Sequence, residues 1–242
     1  MLLNENNKVK KCVDVCMTVI LLALMAYQVT GEALHEWSGI IMAILVITHQ
    51  ILNRKWYATL FKGKYNLYRI ITTCINLLLL AAIAITAFCG MSMSGHAVPF
   101  LYGMAPAAFV RRFHLSMSHW TFVLMGMHLG LHVPAMTARF KIGTKIKTII
   151  GIISLAIGGY GLYLFLENGM PDYLFFKVPF AFLDYEKASL FVFAENLMML
   201  FFWVLIGTLI AVIFGLIGKN IKISMTQKSR YPEEAYKQGR GL

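Results

Sequence analysis

The chain has 242 residues, of which 59% are hydrophobic and only 14% charged, and its mean hydropathy is +0.68. That balance excludes an ordinary soluble globular domain, in which about a quarter of the residues are charged, and identifies an integral membrane protein. The net charge of +11 reads as a topology signal plus attraction to anionic lipid headgroups, with no reason to invoke nucleic acid.

Apolar runs at 13–30, 34–52, 68–90, 113–134, 147–166 and 189–218 each approach or exceed the roughly 20 residues that cross a bilayer as a helix. The expected fold is therefore all-α, with six transmembrane helices. A transmembrane barrel is excluded by run length, because its strands alternate polar and apolar residues over only about 10 positions. The first run has the basic start of a signal peptide but no convincing cleavage site, 30–33 being a weak one, so it is kept as a helix. Cys12, Cys16, Cys74 and Cys89 lie in or beside apolar runs and lack a haem-tethering Cys-x-x-Cys-His pattern; they read as small buried hydrophobes.

Basic residues alternate between the connections. Lys8, Lys10 and Lys11 precede the first span; Arg54, Lys55, Lys62, Lys64 and Arg69 follow the second; Arg139, Lys141, Lys145 and Lys147 follow the fourth; and Lys219, Lys222, Lys228, Arg230, Lys237 and Arg240 follow the sixth. Only Arg111, Arg112, Lys177 and Lys187 fall on the other side. Both termini are expected to face the cytoplasm. Short loops make spans one to four an up-and-down four-helix bundle, in which span two runs parallel to span four.

Two connections are long. Segment 53–67 mixes basic and aromatic residues, as expected of a stretch lying in the cytoplasmic interface. Segment 91–112 is apolar and punctuated by Gly and Pro, so it is expected to pack on the bundle mouth. Beyond Pro134 no histidine occurs, and PDYLFFKVPFAFLDYEK forms an aromatic outer loop between spans five and six, suited to capping the bundle or meeting a partner.

Six of the seven histidines sit in or at the ends of two spans: His35 and His49 on the second, His114, His119, His128 and His132 on the fourth. Ionisable residues in a membrane are costly and usually face a bundle interior or a cofactor. His35 and His49 are 14 residues apart, and so are His114 and His128; 14 residues return a helix to nearly the same face after a rise of about 21 Å. On parallel helices the equal spacing lets His35 face His114 near the outer side and His49 face His128 near the inner side.

A flat, apolar porphyrin whose iron takes one imidazole from each wall suits such a gap. Two b-type haems are expected, an outer one on His35 and His114 and an inner one on His49 and His128. Doubly ligated iron has no open position, which favours electron transfer over oxygen chemistry. His119 lies roughly 140° from His114 around the helix and reads as a packed polar residue. His132 competes with His128, although an 18-residue pair on span four would mismatch span two by about 6 Å; His132 is otherwise placed near an inner haem edge or a quinone headgroup. His96 in the outer loop reads as an interfacial histidine. Arg54 and Lys55 after His49, and Arg111 and Arg112 before His114, stand where propionates would emerge, and serve equally well as interfacial anchors. Gly39, Gly126 and Gly130 would let a flat ring approach the backbone, and also suit plain helix packing. Asp14 and Glu195 read as interfacial carboxylates near helix ends.

This arrangement resembles the di-haem b-type cytochrome bundle of respiratory membrane complexes. More closely, HEWSGIIMAILVITHQILNRKWY with KGKYN, then FVRRFHLSMSHWTFVLMGMHLGLH, is similar to a cytochrome-like bacterial membrane family often associated with flavinylated FMN-binding proteins. The likeness covers about residues 31–136 and continues more weakly around NGMPDYLFF. It implies that His35, His49, His114 and His128 are the haem ligands, matches His132 to a further histidine of the family, and implies quinone-linked transmembrane electron transfer.

The organisation expected is a di-haem bundle over 1–136, two additional spans over 137–218 and a basic cytoplasmic tail over 219–242. The function expected is electron transfer across the inner (cytoplasmic) membrane, between the quinone pool and an outer-face flavin, iron–sulfur or multihaem protein. The rival reading is a transporter or metal-handling protein using intramembrane histidines; histidine pairs about 21 Å apart cannot share one ion, and intramembrane carboxylates are scarce.

Overall fold

A computed structural model describes residues 2–138, 140 and 142–230, the side chains of 2–7 and 216–230 excepted. The described residues are helical without any strand. Arg139, Lys141 and the basic side chains of 219–242 lie outside the described residues.

The helices are α1 (Leu2–Met25), α2 (Tyr27–Leu52), the short α3 (Lys55–Thr59), α4 (Leu67–Met93), α5 (Ala107–Thr137), α6 (Thr144–Glu167), the short α7 (Met170–Leu174) and α8 (Ser189–Arg230). Four stretches are long and apolar enough to cross a membrane: α2, α4, α6 and Ser189–Gly215 of α8. The protein is thus a multi-pass membrane protein. α1 begins with Lys8, Lys10 and Lys11, and α5 carries four histidines; these polar side chains leave both helices below the same apolar threshold.

Local chemistry explains the boundaries. α1 breaks at Ala26, and α2 takes up at Tyr27, earlier than the apolar run at 34–52 suggests, by passing through Gly31 at φ 69°. That left-handed conformation strains any residue with a side chain. Asn66 caps α4 by accepting the Arg69 N–H at 2.8 Å. In the preceding turn the Arg69 guanidinium donates to Thr59 O at 2.6 Å and covers the Tyr65 ring. α5 starts at Ala107 directly after Pro106 and tolerates Pro134 in its last turn.

α5 is the central element. It packs against α4 on one side and α8 on the other, and α8 in turn carries α6. α1 and α2 form a pair, and α2 comes close to α4 only sparsely and to α5 almost nowhere. The main core joins Val13, Met17 and Leu21 of α1 to Phe122–Met125 of α5 and to Met199 and Leu200 of α8. The close seam between α5 and α8 depends on glycine. A Cβ on Gly130 would overlap Val204 O and the Gly207 backbone, and one on Gly207 would overlap the Met127 backbone.

Of the two readings open for these glycines, helix packing holds: Gly126 and Gly130 accommodate α8, with Trp203 and Leu200 against Gly126. Gly39 has nothing within 4 Å of its Cβ position, whereas a Cβ on Gly90 of α4 would stand 3.1 Å from His114 Cε1. The missing side chain at Gly90 thus makes room for the His114 ring.

The ends of the molecule are tied by polar contacts. At one end Lys10 donates to Asn53 Oδ1 at 3.1 Å. At the opposite end the Asp184 N–H donates to Gln28 Oε1 at 3.3 Å, and the aromatic loop caps α5: Ser116 Oγ and Trp120 Nε1 both donate to Leu174 O.

Candidate functional site

The histidines of α2 and α5 meet at two levels. His35 and His114 have ring centroids 6.0 Å apart at 73°, and His49 and His128 are 6.5 Å apart at 76°. Since 35 meets 114 and 49 meets 128, α2 and α5 run in the same direction, and the levels are separated by about 21 Å of helix rise. An imidazole nitrogen binds a transition metal at about 2.0–2.1 Å and lies about 1.1 Å from its ring centre, so two rings trans on one ion stand about 6.3 Å apart. The two pairs fall on either side of that spacing. Each also spans the gap between α2 and α5, where backbone contact is almost absent.

Three of the four rings have a fixed tautomer. His114 Nδ1–H donates to Thr86 O at 3.0 Å, His128 Nδ1–H to Asn76 Oδ1 at 2.8 Å and His49 Nδ1–H to Asp14 Oδ1 at 2.8 Å. Each acceptor carries no proton on the atom concerned, so the ring must donate from Nδ1, and a neutral ring in this tautomer presents its lone pair at Nε2. Metal-binding histidines usually have this arrangement, with the second nitrogen donating to a carbonyl or carboxylate. His35 Nδ1 is buried without a hydrogen-bond partner, as is the Thr86 hydroxyl at the same level. Such orphaned polar atoms are uncommon and point to a missing partner. The Asn53 amide stands 3.3 Å from His49 Nε2 and also donates to His49 O at 2.9 Å; metal at Nε2 requires that amide to keep only its carbonyl bond.

Asp14 thereby departs from its expected place. It lies in the middle of α1, not at a helix end, and accepts from His49 of the His49–His128 pair. Glu195 is in the second turn of α8, where Lys187 Nζ lies 2.6 Å away.

The remaining histidines separate. His119 donates from Nδ1 to Leu115 O at 2.7 Å and stacks on Tyr173, 4.5 Å and 15° away. His132 is exposed, with its ring 4.9 Å from that of His128. His96, in the connection between α4 and α5, approaches Glu32 at 4.0 Å. Nearby, the Glu36 carboxylate accepts from Ser94 Oγ and from the N–H groups of Gly95, His96 and Ala97, clasping the end of α4 to α2 beside His35. Glu32, Glu36 and His96 are close enough to share a cation, but these four donors already occupy Glu36.

Of the four basic candidates, Arg54 and Lys55 are exposed at the start of α3. Arg111 and Arg112 are exposed in the second turn of α5. Arg112 donates to Phe176 O at 2.8 Å, which commits it to the aromatic loop. Asp14, Asn76, Thr86 and Glu36 are the partners that sequence reasoning missed; an acidic residue within a span was the available signal, at Asp14 and at Glu36.

Comparison of the chain with protein-family models, with curated proteins and with solved structures found no match.

Proposed function

We propose that the chain is a di-haem b-type cytochrome of the inner membrane that carries electrons between the quinone pool and an outer-face redox protein. The observation that carries this reading is the pair of imidazole couples at 6.0 and 6.5 Å, each close to the spacing of trans ligands. In this reading α1, α2, α4, α5, α6 and the first part of α8 are six spans, both termini are cytoplasmic, and the first four of these spans enclose the cofactors. The likeness to the cytochrome-like bacterial membrane family belongs to the same proposal.

His35 and His114 would hold the outer group, and His49 and His128 the inner one; on His114, His49 and His128 the hydrogen bond on Nδ1 leaves Nε2 for the metal. The bound group supplies a one-electron couple within the hydrocarbon. The chain orients the ligands through Thr86, Asn76 and Asp14. Gly90 makes room for the His114 ring. With histidine on both faces, no position remains for a gas or substrate, so chemistry beyond quinone belongs to a partner such as a flavin, iron–sulfur or multihaem protein. A metal-handling role is disfavoured because the paired histidines are divided between two distant levels.

The test is a reduced-minus-oxidised spectrum of the purified protein with a pyridine haemochrome count. Two b-type haems per chain are expected. A haem-free protein isolated from haem-replete cells would overturn the proposal.

A further inference from the structure

The four paired imidazoles differ in what their second nitrogen touches. His114 donates to a peptide carbonyl, His128 to the neutral amide of Asn76, and His35 Nδ1 has no partner. His49 alone donates to a carboxylate, that of Asp14 at 2.8 Å. A carboxylate acceptor raises the basicity of the ligating imidazole, and a more electron-donating ligand stabilises the oxidised, more positive metal. The inner level has this arrangement and the outer level does not.

Other charges do not supply the same contrast. Glu36 adjoins His35 and keeps its charge, but its carboxylate accepts from four neutral donors of residues 94–97 and makes no hydrogen bond to His35 Nδ1. Basic residues flank both levels along the chain, Arg54 and Lys55 beyond His49, Arg111 and Arg112 before His114. The acceptor on the ligand is the difference that remains.

We propose that Asp14 is a positioning residue that separates the two centres in potential, making the inner one at His49 and His128 the lower and the outer one the higher. This rests on the di-haem reading. Its consequence is a direction: with both groups bound, one-electron exchange from the level of His49 and His128 to that of His35 and His114 would be favourable, the inner group being oxidised as the outer is reduced, with no proton or third reactant.

The experiment is a spectroscopic redox titration of the full-length protein in detergent, after its haem count has been measured. Asp14→Asn keeps an oxygen acceptor on His49 and removes the charge. It is expected to raise the lower midpoint potential by a tenfold change in the oxidised-to-reduced ratio or more, about 59 mV for one electron, leaving the higher one unmoved. Asp14→Glu should stay near wild type. Asn76→Asp places a second carboxylate on the same level and should shift the same potential downward; it decides the matter if Asp14→Asn loses a haem. Unmoved potentials in variants that retain both haems, or movement of the higher potential instead, would overturn the role of Asp14. A wild-type protein without two haems would overturn the di-haem reading itself.

Discussion

At the scale of single residues, the four histidines of α5 occupy four environments. His114 and His128 face α2, His119 stacks on Tyr173, and His132 is exposed beside His128. If His128 is the inner ligand, His128→Ala should reduce the haem count from two to one, whereas His132→Ala should retain both; the reverse outcome would identify His132 as the ligand. His119→Ala should also retain both haems and cost about 1 kcal/mol through the lost ring contact, read from thermal denaturation. Helical angles alone separate His119 from the paired rings. The acceptors on the paired rings were not legible, because Asp14, Asn76 and Thr86 stand 35, 52 and 28 residues from the histidines they serve, on other helices. Periodicity reports which face a residue occupies, but not which helix covers that face.

At the scale of elements, α5 is a two-sided wall. One side presents histidines to α2, and the other presents Gly126 and Gly130 to α8. Both sets follow helical spacing, and the sequence alone offered the glycines equally to a flat ring or to a neighbouring helix. Contact with Val204 and Trp203 decides for the helix. Gly130→Ala should therefore destabilise the protein by about 1–3 kcal/mol through overpacking, seen as earlier unfolding in detergent with the haem count unchanged. Gly39→Ala meets no neighbour and should leave unfolding unaffected. Equal destabilisation by both changes would show that the seam has no special role.

At the scale of the whole molecule, the polar ties at the two ends give the proposed topology a direct test. Phe61 in the α3–α4 turn and Phe182 in the aromatic loop are 93% and 80% exposed, so a cysteine at either site should be reachable. In a chain stripped of its four native cysteines, a membrane-impermeant thiol reagent should label a cysteine at 182 in intact cells. A cysteine at 61 should be labelled only after permeabilisation. Labelling in the opposite order would invert the orientation.

The sequence by itself determined the helical class, the membrane character and the matched 14-residue spacing of two histidine pairs, because hydropathy and helical period are properties of contiguous residues. The tertiary structure decided which rings meet, at 6.0 and 6.5 Å, and that Asp14, mid-helix on α1, accepts a hydrogen bond from His49. It also decided that α8 takes the glycine face of α5. Each of these depends on residues brought together from separate helices, and only packing in three dimensions selects among the partners that a single helix face would accept.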